Sequence, residues 1–383
     1  MPFIVSTNRE THILRIHTQE SFIHFDRTGR FLRRIWPNQV IRRGLDGRML
    51  QVKLIRKGKT ADREYRDLPE AEKEQALAAV YRQAIDILRA HHPGDPWIKV
   101  LERWSPALLA EDRQAFDKVY LPISILPPDQ YNSLVIQVTH GCSYNQCLFC
   151  DFYRDRKFHI KSMEELQRHI ANVKDFFGER LADRHGIFLA DGNALVIPTQ
   201  RLEAMLDLMT VAFAPGAVQF STFMDTFNAK HKSVQDLQSI RAHGLDKVYV
   251  GLETGANRLR AFLHKPGTAA EAASALASLK EAGFRLGVII LVGAGGRSFA
   301  AEHLEETLDV LKDVPLTKDD TIFLSPFVEP NLPEYTEESG VMNLAALTEE
   351  EISAEVSRFK RRLRGMEVYP AKITLYSILE HLY

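Results

Sequence analysis

Short apolar runs alternate with amphipathic stretches from Ser133 onward. The apolar runs are bounded by Gly, Pro, Asp or Ser, and their length is typical of buried parallel strands. They lie at Leu134–Val138, Gly186–Ala190, Val218–Phe220, Val248–Gly251, Leu286–Val292 and Thr321–Leu324. The stretches between them carry apolar residues at helical spacing, at Ser162–Phe177, Thr199–Phe213, Ser233–His243, Ala269–Ala282 and Ala300–Leu311.

This alternation predicts an α/β fold. Right-handed crossovers between parallel strands would curl the six units into a partial (β/α)6 TIM-like barrel over residues 129–340. Residues 1–128 contain short β segments, a helix over Leu68–Ala90 and a second helical stretch, so we expect an N-terminal α+β accessory domain there. Residues 341–383 add the charged helix Glu349–Arg364 and predict a short C-terminal helical extension.

Composition and charge indicate a folded protein without a membrane partner. The 383 residues are 45% hydrophobic and 26% charged, and the formal net charge of −1 gives no overall attraction to nucleic acid or to anionic lipid. The run Leu286–Val292 is far shorter than the roughly 20 residues that span a bilayer. The first residues lack the basic and apolar pattern of a secretory signal. We therefore expect a cytoplasmic protein.

All three cysteines of the chain, Cys142, Cys147 and Cys150, lie in one short stretch. They follow the first predicted barrel strand, so their thiolates should lie on a loop at its carboxyl end, where barrel enzymes hold catalytic groups. Three thiolates on one loop can bind three corners of an iron–sulfur cube and leave one iron without a protein ligand. A structural zinc site, with His140 or Asp151 as the fourth ligand, is the alternative.

The stretch from Val138 to Tyr153 resembles the radical S-adenosylmethionine (SAM) superfamily, and the resemblance extends over roughly residues 130–340. The cysteines form a C-x4-C-x2-C variant of the usual C-x3-C-x2-C motif, with Phe149 in the aromatic place before the last cysteine. The chain is similar to the branch of oxygen-independent coproporphyrinogen oxidases and elongator-type proteins. The resemblance implies a [4Fe–4S] cluster, SAM as the source of a 5′-deoxyadenosyl radical, and an electron donor such as flavodoxin or ferredoxin.

The same resemblance implies cofactor-binding residues at three later strand ends. Asp191, Gly192 and Asn193 follow the second strand, where the family often has Gly-Gly-Glu to receive the methionine amino group. Glu253 ends the fourth strand and would accept hydrogen bonds from the ribose hydroxyls or the ammonium group. Gly293 follows the fifth strand, where a glycine lets the backbone approach the adenine. The alternatives are a helix cap, a solvated loop glutamate and a plain strand–helix turn, respectively.

No catalytic residue is assigned from the sequence. Ser325 to Phe327, after the sixth strand, could line the adenine or the substrate. For His303, and for the tyrosines Tyr153 and Tyr335, a packing role is favoured over a chemical one.

A basic run lies between Arg27 and Thr60, with Asp46 as its one acidic residue. It indicates either a contact for a phosphorylated or RNA substrate or the solvated face of an antiparallel sheet, and the low net charge favours the sheet face. Its members are Arg27, Arg30, Arg33, Arg34, Arg42, Arg43, Arg48, Lys53, Arg56, Lys57 and Lys59.

Three hypotheses about function follow from these observations. The first is a radical SAM enzyme that abstracts hydrogen from a small-molecule substrate. The second is a radical SAM enzyme that modifies RNA, with nucleic acid as a partner that is not favoured. The third is a non-catalytic zinc- or cluster-binding protein.

Overall fold

The computed structural model describes residues 4–7, 13–57, 60–214, 218–228, 231–366 and 371–383. The chain forms two compact units. One comprises Met1–Pro122, Ala171–Arg184 and Leu379–Tyr383, and the other Ile123–Ile170 and His185–Ile378. The division into domains at residues 128 and 340 stays a prediction, because independent folding defines a domain and compactness alone does not. None of the described helices is long and apolar enough to cross a membrane.

The first unit holds an antiparallel sheet of seven strands that follow one another in chain order. The strands are Ile4–Thr7 (β1), Leu14–His17 (β2), Phe22–Phe25 (β3), Phe31–Trp36 (β4), Gln39–Arg43 (β5), Met49–Lys57 (β6) and Thr60–Asp67 (β7). Side chains alternate between the two faces of such a sheet. One face supplies the buried residues Leu14, Ile16, Ile23, Phe25 and Phe31 to the core of this unit.

Three helices follow the sheet: Glu70–His91 (α1), Pro96–Glu102 (α2) and Pro106–Val119 (α3). The first buries Leu77, Val80, Ala84 and Leu88 along one stripe, which joins the core of the sheet. The other two begin at polar caps. The side chain of Asp95 accepts a hydrogen bond from the backbone of Trp97, and that of Ser105 accepts one from Leu108.

The second unit is built on a parallel sheet of seven strands with helices between them. Its strands are Leu134–Gln137 (β8), Ile187–Ala190 (β11), Phe220–Asp225 (β12), Leu245–Glu253 (β13), Arg285–Val292 (β14), Thr321–Pro326 (β15) and Lys372–Leu375 (β16). The short strands Thr139–His140 (β9) and His159–Ile160 (β10) form a separate antiparallel pair. The helices from residue 163 onward are Met163–Phe177 (α4), Thr199–Phe213 (α5), Val234–Ala242 (α6), Asn257–Phe262 (α7), Ala269–Glu281 (α8), Gly296–Lys312 (α9), Pro333–Val341 (α10) and Glu349–Arg364 (α11). The part of α4 from Ala171 on belongs to the first unit.

The predicted α/β class and parallel barrel sheet are confirmed. Five of the six predicted strands match observed strands, whereas Val218–Phe220 shares only Phe220 with β12. The sheet has one strand more than predicted, because β16 pairs in parallel with β15. The C-terminal part was predicted as a short helical extension, and besides helix α11 it contributes this strand. The difference has a physical cause: the four residues of β16 are half-buried or exposed at the edge of the sheet, so they leave no buried apolar run in the sequence.

A layer of aromatic rings fills the barrel interior. Phe188, Phe223 and Phe323 lie around Tyr249, with ring centroids 5.9–6.1 Å from its ring. The Tyr249 hydroxyl donates to Asp129 over 2.7 Å and accepts from the amide of Gln130, both of which precede β8. The tyrosine therefore closes the amino-terminal end of the barrel and leaves the carboxyl end open.

Gly287 makes room for this layer, and we predict that Gly287→Ala destabilises the barrel. An added Cβ would lie 2.8 Å from Cε1 of Tyr249 and 3.0 Å from Cε2 of Phe323. Such overpacking costs about 1–3 kcal/mol of unfolding free energy. The matched control is Gly340→Ala in helix α10, where no atom lies within 4 Å of the added Cβ and where alanine should be neutral or stabilising. Equal thermal midpoints for the two variants would contradict this packing.

Candidate cofactor-binding site

The three cysteines lie on a loop whose base is closed by a small hairpin. Strands β9 and β10 pair antiparallel, with His140 opposite His159, and the loop between them carries Cys142, Cys147 and Cys150. Gly141 opens the loop with φ +71°, a left-handed conformation that glycine adopts without strain. All three thiols are free and partly exposed. The loop leaves the carboxyl end of β8, as the sequence predicts.

The buried carboxylate of Asp191 holds the start of this loop. Its Oδ2 accepts the backbone N–H of Gly141 over 2.9 Å and an N–H of Arg156 over 3.3 Å. Its Oδ1 accepts the side-chain amide of Gln137 over 2.8 Å. Burial raises the pKa of this carboxyl, and the hydrogen bond from Gly141 opposes the rise. Because both oxygens are engaged within the protein, Asp191 positions the cysteine loop from behind.

Gly192 lets the end of β11 approach the cysteine loop closely. Its N–H donates to the carbonyl of Gly141 over 3.2 Å. A Cβ at this position would lie 3.1 Å from that carbonyl oxygen and 3.2 Å from the Cα of Cys142. A side chain here would therefore displace the loop that carries the first thiol.

The thiols open into a cavity at the carboxyl end of the barrel. Its volume, open mouth included, is about 1080 Å³. The lining residues come from the cysteine loop, the barrel strand ends and the segment after β16. They are Ile125, Cys142, Tyr144, Asn145, Cys147, Phe149, Cys150, Phe152, Tyr153, Gly192, Phe223, Met224, Asp225, Phe227, Gly251, Glu253, Lys265, Ile289, Leu291, Ser325, Phe327, Val328, Tyr376 and Ile378.

Glu253 reaches this cavity because the backbone is irregular at the end of β13. The pairing of β13 with β14 slips between Gly251 and Glu253, and Glu253 adopts φ +62°. A bulge of this kind re-aims a side chain. The glycine at 251 leaves space for the carboxylate, since a Cβ there would collide with Oε1 of Glu253. Burial raises the pKa of Glu253, while Lys265 and Arg260 oppose the rise.

Lys265 supplies a buried positive charge on the cavity wall. Its Nζ lies 3.6 Å from Oε1 of Glu253 and 5.7 Å from the ring centroid of Phe149. The buried guanidinium of Arg260 fixes the turn that carries it, donating to the carbonyls of Pro266 and Gly267 over 2.9 Å. Arg260 also donates to the carbonyls of Leu252 and Thr254, so it joins this turn to the end of β13.

Asn193 lies behind the cavity wall and hydrogen-bonds Asp225, which lines the cavity. Its side-chain amide donates to Asp225 over 2.8 Å, and its oxygen accepts the backbone N–H of Leu195. Asp225, at the end of β12, also accepts from the backbone and side chain of Asn228. Asp225 itself lines the cavity.

The remaining sequence candidates divide between the cavity and the packing around it. Tyr153, Ser325 and Phe327 line the cavity. Gly293 lies against helix α11 instead, with a Cβ position 3.2 Å from Ile352. His303 is buried beside Phe359 and hydrogen-bonds Thr254, and burial lowers its pKa to about 4. Tyr335 belongs to an apolar cluster with Phe262 and Phe299.

Of the predicted cofactor-binding residues, the structure brings three to the cavity beside the cysteines: Phe149, Gly192 and Glu253. Asp191, Asn193 and Gly293 are not part of its lining. Lys265 and Asp225 also line the cavity and were not predicted from the sequence. Lys265 precedes an ordinary Pro-Gly turn and Asp225 ends a strand whose start was placed too early, so neither stands out in the sequence.

Burial keeps two of the thiols protonated in the metal-free protein. It raises the pKa of Cys147 to about 11 and that of Cys150 to about 12, and the charge of Lys265 partly opposes the rise at Cys147. A metal must therefore displace these protons when it binds.

The donor set fits an iron–sulfur cluster better than a single zinc ion. Across the residues the structure describes, no three His, Cys, Asp or Glu side chains come close enough to share one metal ion. Zinc binds sulfur at about 2.3 Å and would need the thiols crowded around one point. His140, one of the two suggested fourth zinc ligands beside Asp151, lies with its Nε2 2.6 Å from the ammonium of Lys161. Three thiols on the wall of a larger cavity suit a polynuclear cluster with an open corner.

We predict that Asp191→Asn loosens the cysteine loop without unfolding the barrel. The amide keeps the size of the carboxylate but loses its charge and one acceptor oxygen, so the bonds to Gly141 and Arg156 weaken. Cys142 should then react faster with a thiol reagent in metal-free protein, at an unchanged melting temperature. Asp155→Asn is the matched control, because the hydrogen bonds of Asp155 in the described part of the chain come from the side chain of Arg156. Equal alkylation rates in both variants would contradict the role of Asp191.

Comparison with known proteins agrees with this geometry. Residues 136–311 match the family model described as the radical SAM superfamily. No curated protein matches the chain.

Three solved structures illustrate the similarity in fold. Methylornithine synthase (PylB) is 15% identical, with 80% of this chain and 79% of that chain covered and a TM-score of 0.43. Coproporphyrinogen III oxidase (HemN) from Escherichia coli is 13% identical, with 61% and 52% covered and a TM-score of 0.43. The cobalamin-dependent enzyme OxsB is 17% identical, with a TM-score of 0.38.

The match to OxsB covers 58% of this chain and 31% of that chain, so this chain spans about a third of its length. At these identities and TM-scores the three structures carry no argument about the substrate. The family match includes all three cysteines and the ends of β11 to β14, while the cavity residues after β15 and β16 lie beyond it. Over residues 136–311, just under half of its length, the chain is therefore similar to radical SAM enzymes.

Proposed function

We propose that Cys142, Cys147 and Cys150 hold a [4Fe–4S] cluster, and that the enzyme abstracts hydrogen from a small molecule bound in the same cavity. The observation that carries the proposal is the convergence of the three thiols with two buried opposite charges, Glu253 and Lys265, on one cavity. When bound, the reduced cluster and SAM supply methionine and a 5′-deoxyadenosyl radical. Since the chain has no fourth cysteine, one iron would stay open to SAM.

The charges of the cavity match the two charged groups of an amino acid. The ammonium of Lys265 would pair with the carboxylate of SAM, and the carboxylate of Glu253 would accept from its ammonium or from the ribose hydroxyls. Both charges are buried and lie 3.6 Å apart. A zwitterion bound beside them would give each charge an opposite charge as a partner. Ion pairs of this kind are strong where water is excluded.

The far walls of the cavity would exclude water from the substrate. They are apolar and come from β14, from the residues after β15 and from the chain after β16: Ile289, Leu291, Phe327, Val328 and Ile378. A dry wall protects a radical from side reactions, and it favours a small substrate with an apolar portion.

The proposed cluster also indicates an electron donor and a compartment for the enzyme. A cluster that must be reduced needs an electron donor, for which flavodoxin or ferredoxin are the proposed classes. Free thiols persist in the reducing cytoplasm, so we propose that the enzyme works there.

The cluster assignment predicts iron stoichiometry. Anaerobically reconstituted protein should bind about four irons per chain, because three thiolates support one cluster. Cys142→Ala, Cys147→Ala and Cys150→Ala should each lose the cluster and the reductive formation of 5′-deoxyadenosine. Ser143→Ala, in the same loop, is the control that should keep both. Stoichiometric zinc without iron in protein purified without oxygen, or SAM cleavage that survives the cysteine changes, would contradict the assignment.

The SAM contacts predict a second result. Glu253→Gln and Lys265→Gln should each weaken SAM binding by about 1.5–3 kcal/mol, the range for hydrogen bonds to charged groups. Iron content should stay unchanged, since neither residue binds iron. Lys232→Gln is the matched control, because Lys232 donates to the carbonyl of Ile197 and does not line the cavity. Equilibrium dialysis with SAM measures the effect, and an unaltered affinity in both variants would exclude them from the SAM site.

A further inference from the structure

The outward face of the N-terminal sheet carries two parallel rows of side chains. In the first, Arg15 lies opposite His24, His24 opposite Arg33 and Arg33 opposite Arg42, across strands β2 to β5. Residues directly opposite one another share a face, and neighbouring strands lie about 4.8 Å apart. We call these four residues the basic row.

A second row runs alongside the first. On strands β3, β4 and β5 its members lie two residues from those of the basic row. Phe22 lies opposite Ile35, Ile35 opposite Val40 and Val40 opposite Val52. The side chain of Phe22 is 45% exposed and its ring stacks on His17, with centroids 4.1 Å apart and planes 11° apart. We call Phe22, Ile35, Val40 and Val52 the apolar row. The sheet therefore carries one exposed aromatic ring, that of Phe22, and three half-buried aliphatic side chains beside a line of cations.

Most other arginines of the basic run pair with carboxylates or stack on a ring of the same protein. Arg30 and Arg43 are buried and share the carboxylate of Asp112. Arg27 pairs with Asp183 and Arg48 with Asp67. Arg34 stacks on Trp36, with its guanidinium carbon 4.7 Å from the ring centroid. Lys59 lies outside the described residues, as do the side chains of Arg56 and Lys57. The described arginines of the run that this leaves for the outward face are Arg33 and Arg42, and Arg42 also donates to the backbone carbonyl of Glu380 over 2.6 Å.

The basic row has no carboxylate of its own. Within the described part of the chain, Arg15 and Arg33 form no ion pair, and the charged groups that act on Arg33 are Arg15 and Arg42. The Nε of Arg33 donates to Nδ1 of His24 over 3.1 Å. Burial, together with the positive charges of Arg33 and Arg15, lowers the pKa of His24 to about 4, so the imidazole is neutral and three positive charges remain. Like charges in line repel one another, and an anionic ligand with several charges would relieve the repulsion.

We propose that this face binds a single-stranded RNA segment, with phosphates along the basic row and bases on the apolar row. Aromatic rings stack on any base, and cations beside them hold the backbone. An acidic peptide would use the basic row but leave the ring of Phe22 without a flat partner. A membrane would need a protruding apolar loop or helix, and the apolar row is a half-buried stripe on a sheet. The proposal is independent of what binds in the cavity.

Binding to a labelled oligouridine of about 15 nucleotides tests the proposal, measured by fluorescence anisotropy from about 20 to about 200 mM KCl. Arg15→Gln with Arg33→Gln should lower the affinity at least about tenfold at low salt. It should also flatten the log–log salt dependence by about 1.4, since each phosphate contact on a single strand contributes about 0.7. Phe22→Ala should lower the affinity about tenfold with the salt dependence unchanged, because stacking releases no counterions.

The matched control is Arg48→Gln with Arg66→Gln, which removes the same charge from two exposed arginines that pair with Asp67 and Glu72. This control should bind like the parent. An equal loss in the control would mean that only net charge matters, and would overturn the proposal. It would also be overturned by absence of binding at low salt, or by binding to vesicles of anionic lipid in place of the oligouridine. Melting temperatures would confirm that each variant is folded.

Discussion

The bond from Gly141 to the buried carboxylate of Asp191 is the contact on which the rest of the site depends. A loop with three thiols has no regular backbone pairing of its own, so something must fix it against the barrel. The hairpin of β9 and β10 closes its base, and Asp191 fixes its first turn. Gly192 completes the contact, because only a residue without a side chain allows the two backbones to come so close. The position of the thiols is thus set from the end of β11, outside the cavity.

A second constraint is electrostatic. Glu253 and Lys265 are both buried, and a charge removed from water must meet an opposite charge or a hydrogen-bond partner. In the ligand-free protein they face each other at 3.6 Å, a separation longer than a close ion pair. The bulge at Glu253 and the anchoring of the neighbouring turn by Arg260 keep them in this arrangement. The two opposite charges thereby offset part of the cost of each other's burial.

The sequence predicted the barrel well because buried parallel strands leave continuous apolar runs. Helix α5 was predicted with its observed bounds, and five of the six predicted strands match observed strands. β16 escaped prediction because an edge strand with exposed side chains leaves no such run. The site was harder to predict. A polar residue after a strand can face the cavity, as Glu253 does, or turn behind the wall, as Asp191 and Asn193 do. Only the local backbone decides, and the bulge at Glu253 has no sequence signal of its own.

The basic run is a second case in which the sequence alone does not show which way a side chain faces. As a sequence it is one block of positive charge, but a strand sends successive side chains to opposite faces. In the pair Arg33 and Arg34, the first joins the basic row and the second stacks on Trp36. In the pair Arg42 and Arg43, the second is buried against Asp112. Net charge is therefore a poor guide to what this sheet binds. The net charge adds up positive and negative side chains that lie on different faces of the sheet. Because salt screens exposed charges beyond a Debye length of about 10 Å, a bound phosphate would respond mainly to the nearby basic row.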